Sequence, residues 1–269
     1  GACHRNQAIT RDHIQTVLWR ISGTALEVRA LGLSTTWTDR AFPASDYRKG
    51  RALLAGDAAH THSPLGGQGL NLGFRDALNL GWKLASTIRR DAAPALLDSY
   101  RNERRPVAEQ VLDWSRAQVT LMRPNQGSRA LRAIMHDLAT TRDGATYMAE
   151  RVWGINVRYN LGDDHPLVGR SAPDFGLNDG TRLNEHLRRG KAVLLDFGGS
   201  LCLHELAVRY QHRLSYIDVS VNDRLGLCAL LIRPDGFVVW ASDHPLDFSE
   251  AKQALSQWLL SPRAEGPVS

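Results

Sequence analysis

The chain has 269 residues, of which 43% are hydrophobic and 23% charged, a composition typical of an ordinary soluble protein with one or two hydrophobic cores. A net charge of +5 would allow nucleic-acid binding, but the basic residues occur in isolated pairs, which favours a solvated surface. No apolar run reaches the roughly 18 residues of a membrane helix, no signal-peptide pattern occurs, and three scattered cysteines make no disulfide framework, so we expect a cytoplasmic protein without a membrane or nucleic-acid partner.

The first elements along the chain are predicted to be a helix and a strand. Apolar residues recur at helical spacing within residues 8–22, and residues 30–37 have the composition of a strand. Two aromatic residues nearby, Trp37 and Phe42, are candidates for a ligand pocket or for the core. Because unassigned aromatic residues are more often core residues, we expect both to be buried.

A glycine-rich block between residues 52 and 73 contains the strongest functional signal. Residues 52–55 have the pattern of a short buried strand, Asp57 follows its end, and a series of glycines leads into a helix that begins near Leu70. Glycines let the backbone approach a ligand closely, and the helix start offers free N–H groups and a positive dipole end. The block therefore predicts a site for a planar, partly anionic ligand.

The residues of this block are compatible with alternatives to such a site. A purely structural turn would have the same composition. Gly67, Gly69 and Gly73 fit a relaxed phosphate-binding pattern, but about ten residues separate them from the strand, whereas that pattern requires the strand to end directly before its first glycine. His60 and His62 with Asp57 supply too few ligands at metal spacing, so we expect no metal site.

Helices are predicted over residues 69–89 and 95–122, with a helical pair within 130–151. In the first, small residues recur every four positions, at Gly73, Ala77, Gly81 and Ala85. Its bulky apolar residues are Leu70, Phe74, Leu78, Trp82 and Leu84. This composition predicts a helix buried between two layers, with a close neighbour along the small stripe. Pro106 predicts a kink or break in the second helix.

A polar, turn-rich stretch at residues 160–166 marks a predicted domain boundary. Beyond it we predict a strand at 192–197, a helix at 202–214, a strand at 216–221, a hairpin turning at Pro234-Asp235-Gly236 and a helix at 249–260. This order resembles thioredoxin. In that resemblance Cys202 is the first active-site cysteine, Glu205 replaces the second, and Cys228 replaces the cis-proline. Because dithiol exchange needs the second thiol, we expect no redox function here.

The glycine-rich block also carries a family resemblance, in register over more than twenty-five residues. The run Gly56-Asp57-Ala58-Ala59-His60, continued by Gly66-Gly67-Gln68-Gly69-Leu70-Asn71, resembles the second FAD-binding motif of class A flavoprotein aromatic hydroxylases, the p-hydroxybenzoate hydroxylase-like family. Within that family, this sequence looks most similar to members that act on aromatic polyketides, phenols and rifamycin-type antibiotics. The resemblance implies an α/β fold, with the C-terminal, mainly helical part of the FAD domain followed by a thioredoxin-like α/β domain.

The same resemblance implies the roles of the site residues. The Asp57 carboxylate would hydrogen-bond the ribityl chain of FAD, and Pro64 would lie beside the isoalloxazine ring. Backbone N–H groups would face the pyrimidine end of the flavin from Gly67, Gln68, Gly69, Leu70 and Asn71. Such dipoles stabilise the negative charge that reduced flavin carries near N1 and O2. No catalytic side chain is assigned.

Family members begin with a G-x-G-x-x-G unit that holds the ADP half of FAD, and no such unit precedes residue 50. We expect either a C-terminal fragment of a chain of roughly five hundred residues or a naturally shortened relative. The expected domains are a substrate-domain remnant at 1–50, part of the FAD domain at 51–160 and the thioredoxin-like domain at 166–269. As macromolecular partner we expect a second copy of the chain or the missing N-terminal part.

The function implied is FAD-dependent hydroxylation of an aromatic, polyketide-like or phenolic substrate through a flavin hydroperoxide, with NADPH or NADH as reductant. The chain alone is expected to be inactive, because half of the flavin site is missing. The alternative is a non-catalytic relative of the oxygenases that serves as a binding or assembly module.

Overall fold

The computed structural model describes residues 8–36, 38–92, 94–218, 224–244 and 248–259, in two compact units that meet in sequence between Arg40 and Ala41. The first unit contains helix α1 (Arg11–Ser22), which begins where the Thr10 side chain accepts a hydrogen bond from the His13 N–H at 3.2 Å. The prediction of a strand over 30–37 is wrong for its described residues, because no described segment of this unit pairs with them. Trp37 lies outside the described residues.

The second unit begins with two short antiparallel pairs. Strand β1 (Phe42–Pro43) pairs with β4 (His60–Thr61), and β2 (Arg48–Lys49) pairs with β3 (Ala52–Leu53). The predicted buried strand over 52–55 is therefore wrong in length and burial, since only two residues pair and Leu53 stays partly exposed. The expectation that Phe42 is buried is also wrong, because its side chain is 64% exposed on a strand with a single neighbour.

Long helices follow: α2 (Gly69–Ile88), α3 (Ser99–Met122), α4 (Gln126–Thr140) and α5 (Arg142–Trp153). Pro106 lies inside α3 without ending it, so the predicted break does not occur. A proline in a helix leaves the carbonyl four residues earlier without its partner. Here that carbonyl belongs to Asn102, and both residues are exposed, so water can replace the lost hydrogen bond.

Helix α2 has the predicted bounds but the opposite burial. Leu70, Phe74 and Leu78 are 69%, 59% and 61% exposed. Its buried side chains are Leu72, Asp76, Asn79 and Lys83. Of the two glycines in the small-residue stripe, Gly73 is closely packed, since a Cβ atom there would lie 3.5 Å from the Gly56 Cα, whereas Gly81 faces open space. The helix therefore buries a polar face, and charged partners elsewhere in the chain must satisfy it.

The C-terminal part holds helix α6 (Leu183–Leu187) and a four-stranded sheet built from β5 (Ala192–Asp196), β6 (Leu214–Asp218), β7 (Ala229–Ile232) and β8 (Val238–Ser242). The strand order is β6-β5-β7-β8, with β5 parallel to β6 and antiparallel to β7. Helices α7 (Leu201–Val208) and α8 (Phe248–Trp258) complete it. This is the expected thioredoxin-like α/β arrangement, although α7 is shorter than predicted and residues 219–221 lie outside the described residues.

The sheet is buried on both faces, which explains the continuous apolar runs of its central strands. Leu194 and Leu231 pack with α7 and α8 on one face, and Val193 and Ile232 pack with Leu183 on the other. A third core joins the sheet to the long helices, because Phe237 stacks on Tyr159 at a centroid distance of 4.2 Å. The C-terminal part is thus packed directly against the helical part.

A buried ion cluster of Lys83, Glu103, Arg233 and Asp235, here called the Arg233 cluster, joins α2 and α3 to the β7–β8 hairpin. Arg233 donates to both carboxylate oxygens of Glu103 at 2.9 Å and also pairs with Asp235. The Lys83 ammonium lies 2.9 Å from Glu103. Four aromatic rings surround the Arg233 guanidinium at 5.0–5.8 Å, from Trp82, Tyr159, Phe237 and Trp258. The cluster is a buried charge network in which every member has an opposite partner.

The pKa values of this cluster follow from burial and pairing. Burial alone would raise the pKa of the Glu103 carboxyl, but Arg233 and Lys83 together lower it to about 2. For Lys83 burial dominates, and the pKa falls to about 8 despite the attraction of Glu103. The Lys83 amine therefore holds its proton less tightly in the folded protein than in the unfolded chain.

This lowered pKa predicts that Lys83 makes stability rise with pH. Between about pH 8 and pH 10 the unfolded chain keeps the Lys83 proton while the folded protein releases it. Over this range the unfolding free energy is therefore expected to increase by about 2–3 kcal/mol because of Lys83. Lys83→Met should remove this contribution. Urea unfolding of both proteins at several pH values measures the difference, and parallel pH profiles would contradict the assignment.

Candidate functional site

An open groove of about 710 Å³ lies where the glycine-rich block meets the start of α2. Five of the seven predicted site residues line it: Asp57, Pro64, Gly67, Gly69 and Leu70. The other two, Gln68 and Asn71, line a separate cavity on α2. The volume lies within the usual range for cofactor and small-molecule sites.

Asp57 is exposed at the edge of the groove, in a 3-10 turn over Gly56–Ala58. Gly56 has a φ of +59°, a left-handed conformation that side chains rarely adopt. In the described part of the structure the Asp57 carboxylate makes no hydrogen bond or ion pair, so all its acceptor positions are available to a ligand. A carboxylate in this state suits a ligand that offers hydroxyl groups.

A second carboxylate, Asp76 on α2, fixes the turn that carries Asp57. Asp76 accepts the Gly56 N–H at 3.0 Å and contacts His60 Nε2 at 2.7 Å. Its other oxygen accepts from Arg104 Nε at 2.7 Å. All three side chains of this Asp76 cluster, His60, Asp76 and Arg104, are fully buried. The cluster anchors the turn from behind and leaves Asp57 free.

The electrostatics of the Asp76 cluster keep it charged. Burial alone would raise the pKa of the Asp76 carboxyl, but the hydrogen bond from His60 and the charge of Arg104 lower it below the ordinary value. Arg104 in turn donates to the Tyr159 hydroxyl at 3.1 Å and to the Leu72 carbonyl at 3.2 Å. The network therefore ties the groove to α3 and to the segment after α5.

The backbone conformation and packing of the turn before α2 explain why this turn contains glycines. Gly66 and Gly67 have φ values of +77° and +61°. A Cβ atom on Gly69 would lie only 2.8 Å from His62 Nε2, so the His62 ring requires a glycine at that position. The His62 Nδ1 lies 2.7 Å from the Ser63 carbonyl, which fixes the ring. The first N–H groups of α2 have no backbone acceptor among the described residues and can bind a ligand.

Gln68 has a role that its sequence position did not indicate. Its buried side chain donates to the Arg151 carbonyl at 2.8 Å and so attaches the turn to the end of α5. His60, Asp76 and Arg104 were also missed. The signal for Asp76 was its helical spacing with Leu72, Asn79 and Lys83, which places three polar residues on the same face as a buried leucine, as expected if that face is buried against charges.

The thioredoxin-like part holds a loop where thioredoxins have their active site. The buried Asp196 carboxylate accepts the N–H groups of Gly198, Gly199 and Ser200 at 2.7–3.1 Å and the Tyr216 hydroxyl at 2.8 Å. Burial, and then the bond to Asp196, raises the pKa of Tyr216. Cys202 is exposed and Cys228 partly buried, and both are free thiols.

No group of three or more histidine, cysteine, aspartate or glutamate side chains within the described ranges is arranged to hold a metal ion. His60 and His62 instead point to Asp76 and to the Ser63 carbonyl. Across the same ranges, no helix combines the length and apolarity needed to cross a bilayer.

Comparisons with known protein families match both parts of the chain. The family described as FAD binding domain matches residues 2–115, and the family described as aromatic-ring hydroxylase, C-terminal, matches residues 165–262. A monooxygenase of Claviceps purpurea is 47% identical over 260 residues, which are 96% of this chain and 51% of that protein.

Solved structures agree with these matches. The anhydrotetracycline hydroxylase OxyS from Streptomyces rimosus is 38% identical with a TM-score of 0.83, over 94% of this chain and 54% of that one. CabE, an aromatic hydroxylase from angucycline biosynthesis, is 32% identical with a TM-score of 0.86, over 97% of this chain and 55% of that one. Fold and matches together relate the chain to aromatic hydroxylases that carry an FAD-binding domain.

The chain belongs to the class A flavin monooxygenase family, which confirms the resemblance drawn from the glycine-rich block. It spans about half the length of the curated relatives it matches. The division into domains and the roles of the individual site residues stay predictions.

Proposed function

We propose that the chain is part of an FAD-dependent monooxygenase that hydroxylates an aromatic substrate at the groove beside Asp57. The observation that carries this proposal is the pairing of a free carboxylate with the uncapped start of α2 along one groove of cofactor size. Family membership supplies the chemistry, and the groove supplies a place for it. The expectation of a cytoplasmic protein rests on the sequence alone.

The residues present fit FAD. Gly56 and Gly73 pack against each other without side chains, which brings the turn that carries Asp57 close to the start of α2. Asp57 would accept hydrogen bonds from the ribityl hydroxyls, and the N–H groups at the start of α2 would hold the anionic pyrimidine end of the ring. Pro64 and Leu70 would shield the ring from water.

When bound, FAD would supply the activation of molecular oxygen and its transfer to the substrate. The chain's own contribution is positioning and charge. The Asp76 cluster holds the turn with Asp57, and the α2 dipole stabilises negative charge at the groove without any movement of side chains. This preorganisation is the part of catalysis that the described residues can provide.

The substrate class comes from relatives. One solved relative is an anhydrotetracycline hydroxylase and another an aromatic hydroxylase of angucycline biosynthesis. We therefore propose a polycyclic, polyketide-like or phenolic aromatic compound as substrate. NADPH or NADH is the proposed reductant. The segment that binds the ADP half of FAD is proposed to come from an N-terminal part that completes the site, or from a partner chain.

Asp57→Ala tests the proposal most directly. Loss of a hydrogen bond between a carboxylate and a ligand hydroxyl is expected to weaken FAD binding by about 1–3 kcal/mol, or roughly 5- to 150-fold in Kd. Flavin fluorescence during titration of the intact protein measures the Kd. Because Asp57 has no partner in the described part of the chain, the melting temperature should not change.

Asp113→Ala is the matched control, since Asp113 is exposed on α3 and pairs only with Arg116. Its Kd for FAD should equal that of the wild type. An equal Kd for Asp57→Ala would contradict the assigned role. A complete absence of flavin absorbance in the intact protein would instead favour a non-catalytic binding or assembly module.

A further inference from the structure

A second cavity, separate from the groove, lies between α2, α3 and the C-terminal end of α5. It encloses about 50 Å³, room for a few water molecules or one small ion. Its wall is mainly apolar, from residues such as Leu72, Val107 and Val157. The proposed function assigns nothing to this cavity.

Three N–H donors of residues that line the cavity lack an acceptor. They are Arg75 Nη1, Trp114 Nε1 and Arg151 Nε, and each atom is shielded from solvent and has no hydrogen-bond partner in the described part of the chain. One unsatisfied buried donor is costly, and three around one small space are a strong sign of an absent acceptor. The nearby Gln68 amide donates through its nitrogen to the Arg151 carbonyl, and its oxygen accepts from none of the three donors.

The two guanidinium groups also lack a counter-charge. No carboxylate belongs to the wall, and neither Arg75 nor Arg151 forms an ion pair with a described residue. Arg151 instead lies over the Tyr147 ring at 4.5 Å and the Trp114 ring at 5.9 Å. Burial, and then the charge of Arg104, lowers the pKa of Arg75.

The end of α5 offsets only part of this charge. A Cβ atom on Gly154, which ends α5, would lie 3.7 Å from the Arg75 Cζ, so this guanidinium lies against the negative end of the helix. A helix terminus provides roughly half an elementary charge. The two guanidinium groups carry two positive charges, and the end of α5 offsets about half a charge. An excess of more than one positive charge therefore remains. An anion at the three donors would balance this charge, whereas a water molecule there would not.

We propose that this cavity binds a small monovalent anion, either a halide such as chloride or a short carboxylate such as acetate. The volume of about 50 Å³ suits a small anion, and two guanidinium groups with an indole N–H provide charge-assisted donors for a single acceptor. The apolar wall favours an anion that gives up its hydration shell easily. Because the site depends only on residues of α2, α3 and α5, it does not require the proposed oxygenase activity.

Tryptophan fluorescence provides a direct test, since Trp114 and Trp153 line the cavity. The chain is titrated with sodium chloride and, separately, with sodium acetate at constant ionic strength, with gluconate as the bulky replacement anion. We expect a saturable fluorescence change and a parallel rise in melting temperature. A response to chloride alone identifies a halide site, and a response to acetate alone identifies a carboxylate site.

Variants separate this site from general salt effects. Arg75→Gln and Arg151→Gln should each weaken the anion Kd by about tenfold or more, because each removes a charged donor. Arg116→Gln is the matched control, since Arg116 lies exposed on α3 and pairs with Asp113, and it should bind as the wild type does. Arg75→Lys, which keeps the charge, should retain part of the affinity if Arg75→Gln fails to fold.

The proposal is overturned if neither anion gives a saturable response, or if the response persists unchanged in both glutamine variants. Crystals grown with bromide in place of chloride add an independent readout. An anomalous peak within reach of Arg75 and Arg151 is expected for a halide site. Water alone in that cavity, in crystals grown with bromide and in crystals grown with acetate, would refute the proposal.

Discussion

Replacing Asp76 by alanine is expected to destabilise the protein by about 3–5 kcal/mol. The substitution leaves the Arg104 guanidinium buried without its carboxylate, and an unpaired buried charge is among the most costly defects in a protein core. It also frees the Gly56 N–H and the His60 ring, so the turn with Asp57 loses its support. Urea unfolding followed by circular dichroism measures the change.

Two further variants make this result specific. Asp98→Ala removes a carboxylate that pairs with Arg48 at 2.6 Å on the surface, and it should cost less than about 1 kcal/mol. The double variant Asp76→Ala with Arg104→Met should recover part of the lost stability, because it removes the stranded charge. An Asp76→Ala protein as stable as Asp98→Ala would show that the Asp76 cluster contributes little.

Arg233→Met is expected to have an effect of similar size, about 3–5 kcal/mol. Arg233 bonds two buried carboxylates, Glu103 and Asp235, and its loss leaves Lys83 as the remaining cation of the cluster. The methionine side chain keeps the packing between the aromatic rings, so the loss reports on charge. Thermal and urea unfolding should both show this loss of stability, and we expect β8 and α2 to be destabilised together.

Arg182→Met serves as the surface comparison within the C-terminal part. Arg182 pairs with Asp174 at 2.6 Å, but its side chain is 57% exposed, and a surface pair contributes about 0–1 kcal/mol. If Arg233→Met lowers the unfolding free energy as little as Arg182→Met does, then the aromatic rings, not the ion pairs, join the two parts of the chain.

Local patterns predicted the elements whose hydrogen bonds are local or whose burial is complete. The bounds of α2 came from its glycine start and helical periodicity, and the β7–β8 hairpin from its Pro-Asp-Gly turn. The fully buried strand β5 was visible as an apolar run. Two-residue strands such as β1 and β3 have no such signal, because pairing with a distant segment defines them.

Burial of α2 could not be predicted from its own residues. Its apolar side chains Phe74 and Leu78 face outward, and Asp76 and Lys83 face inward. The reason lies in partners far along the chain, Arg104 for Asp76 and Glu103 for Lys83, and Glu103 is also held by Arg233. A hydrophobicity pattern assigns charges to the surface, so it reverses the orientation of a helix whose inner face is ionic.

The position of the groove could be predicted from the sequence, but the residues that hold its turn in place could not. Asp57 was predicted as a site residue because the Gly56-Asp57 pair belongs to a motif that resembles one of the family. His60 and Arg104, which hold that motif in place, became visible only through three-dimensional contacts. Residues that touch a ligand are often recorded in short patterns, whereas residues that fix them are dispersed.

The composition of the Arg233 cluster bears on how the two parts of the chain come together. Lys83 and Glu103 belong to the helical part and already neutralise each other, as do Arg233 and Asp235 within the hairpin. Docking therefore keeps both neutral pairs, adds the bond from Arg233 to Glu103 between them, and brings no net charge into the interior. Association of the two parts carries no electrostatic penalty from unequal charge, and each part can form its own pair during synthesis before the other exists.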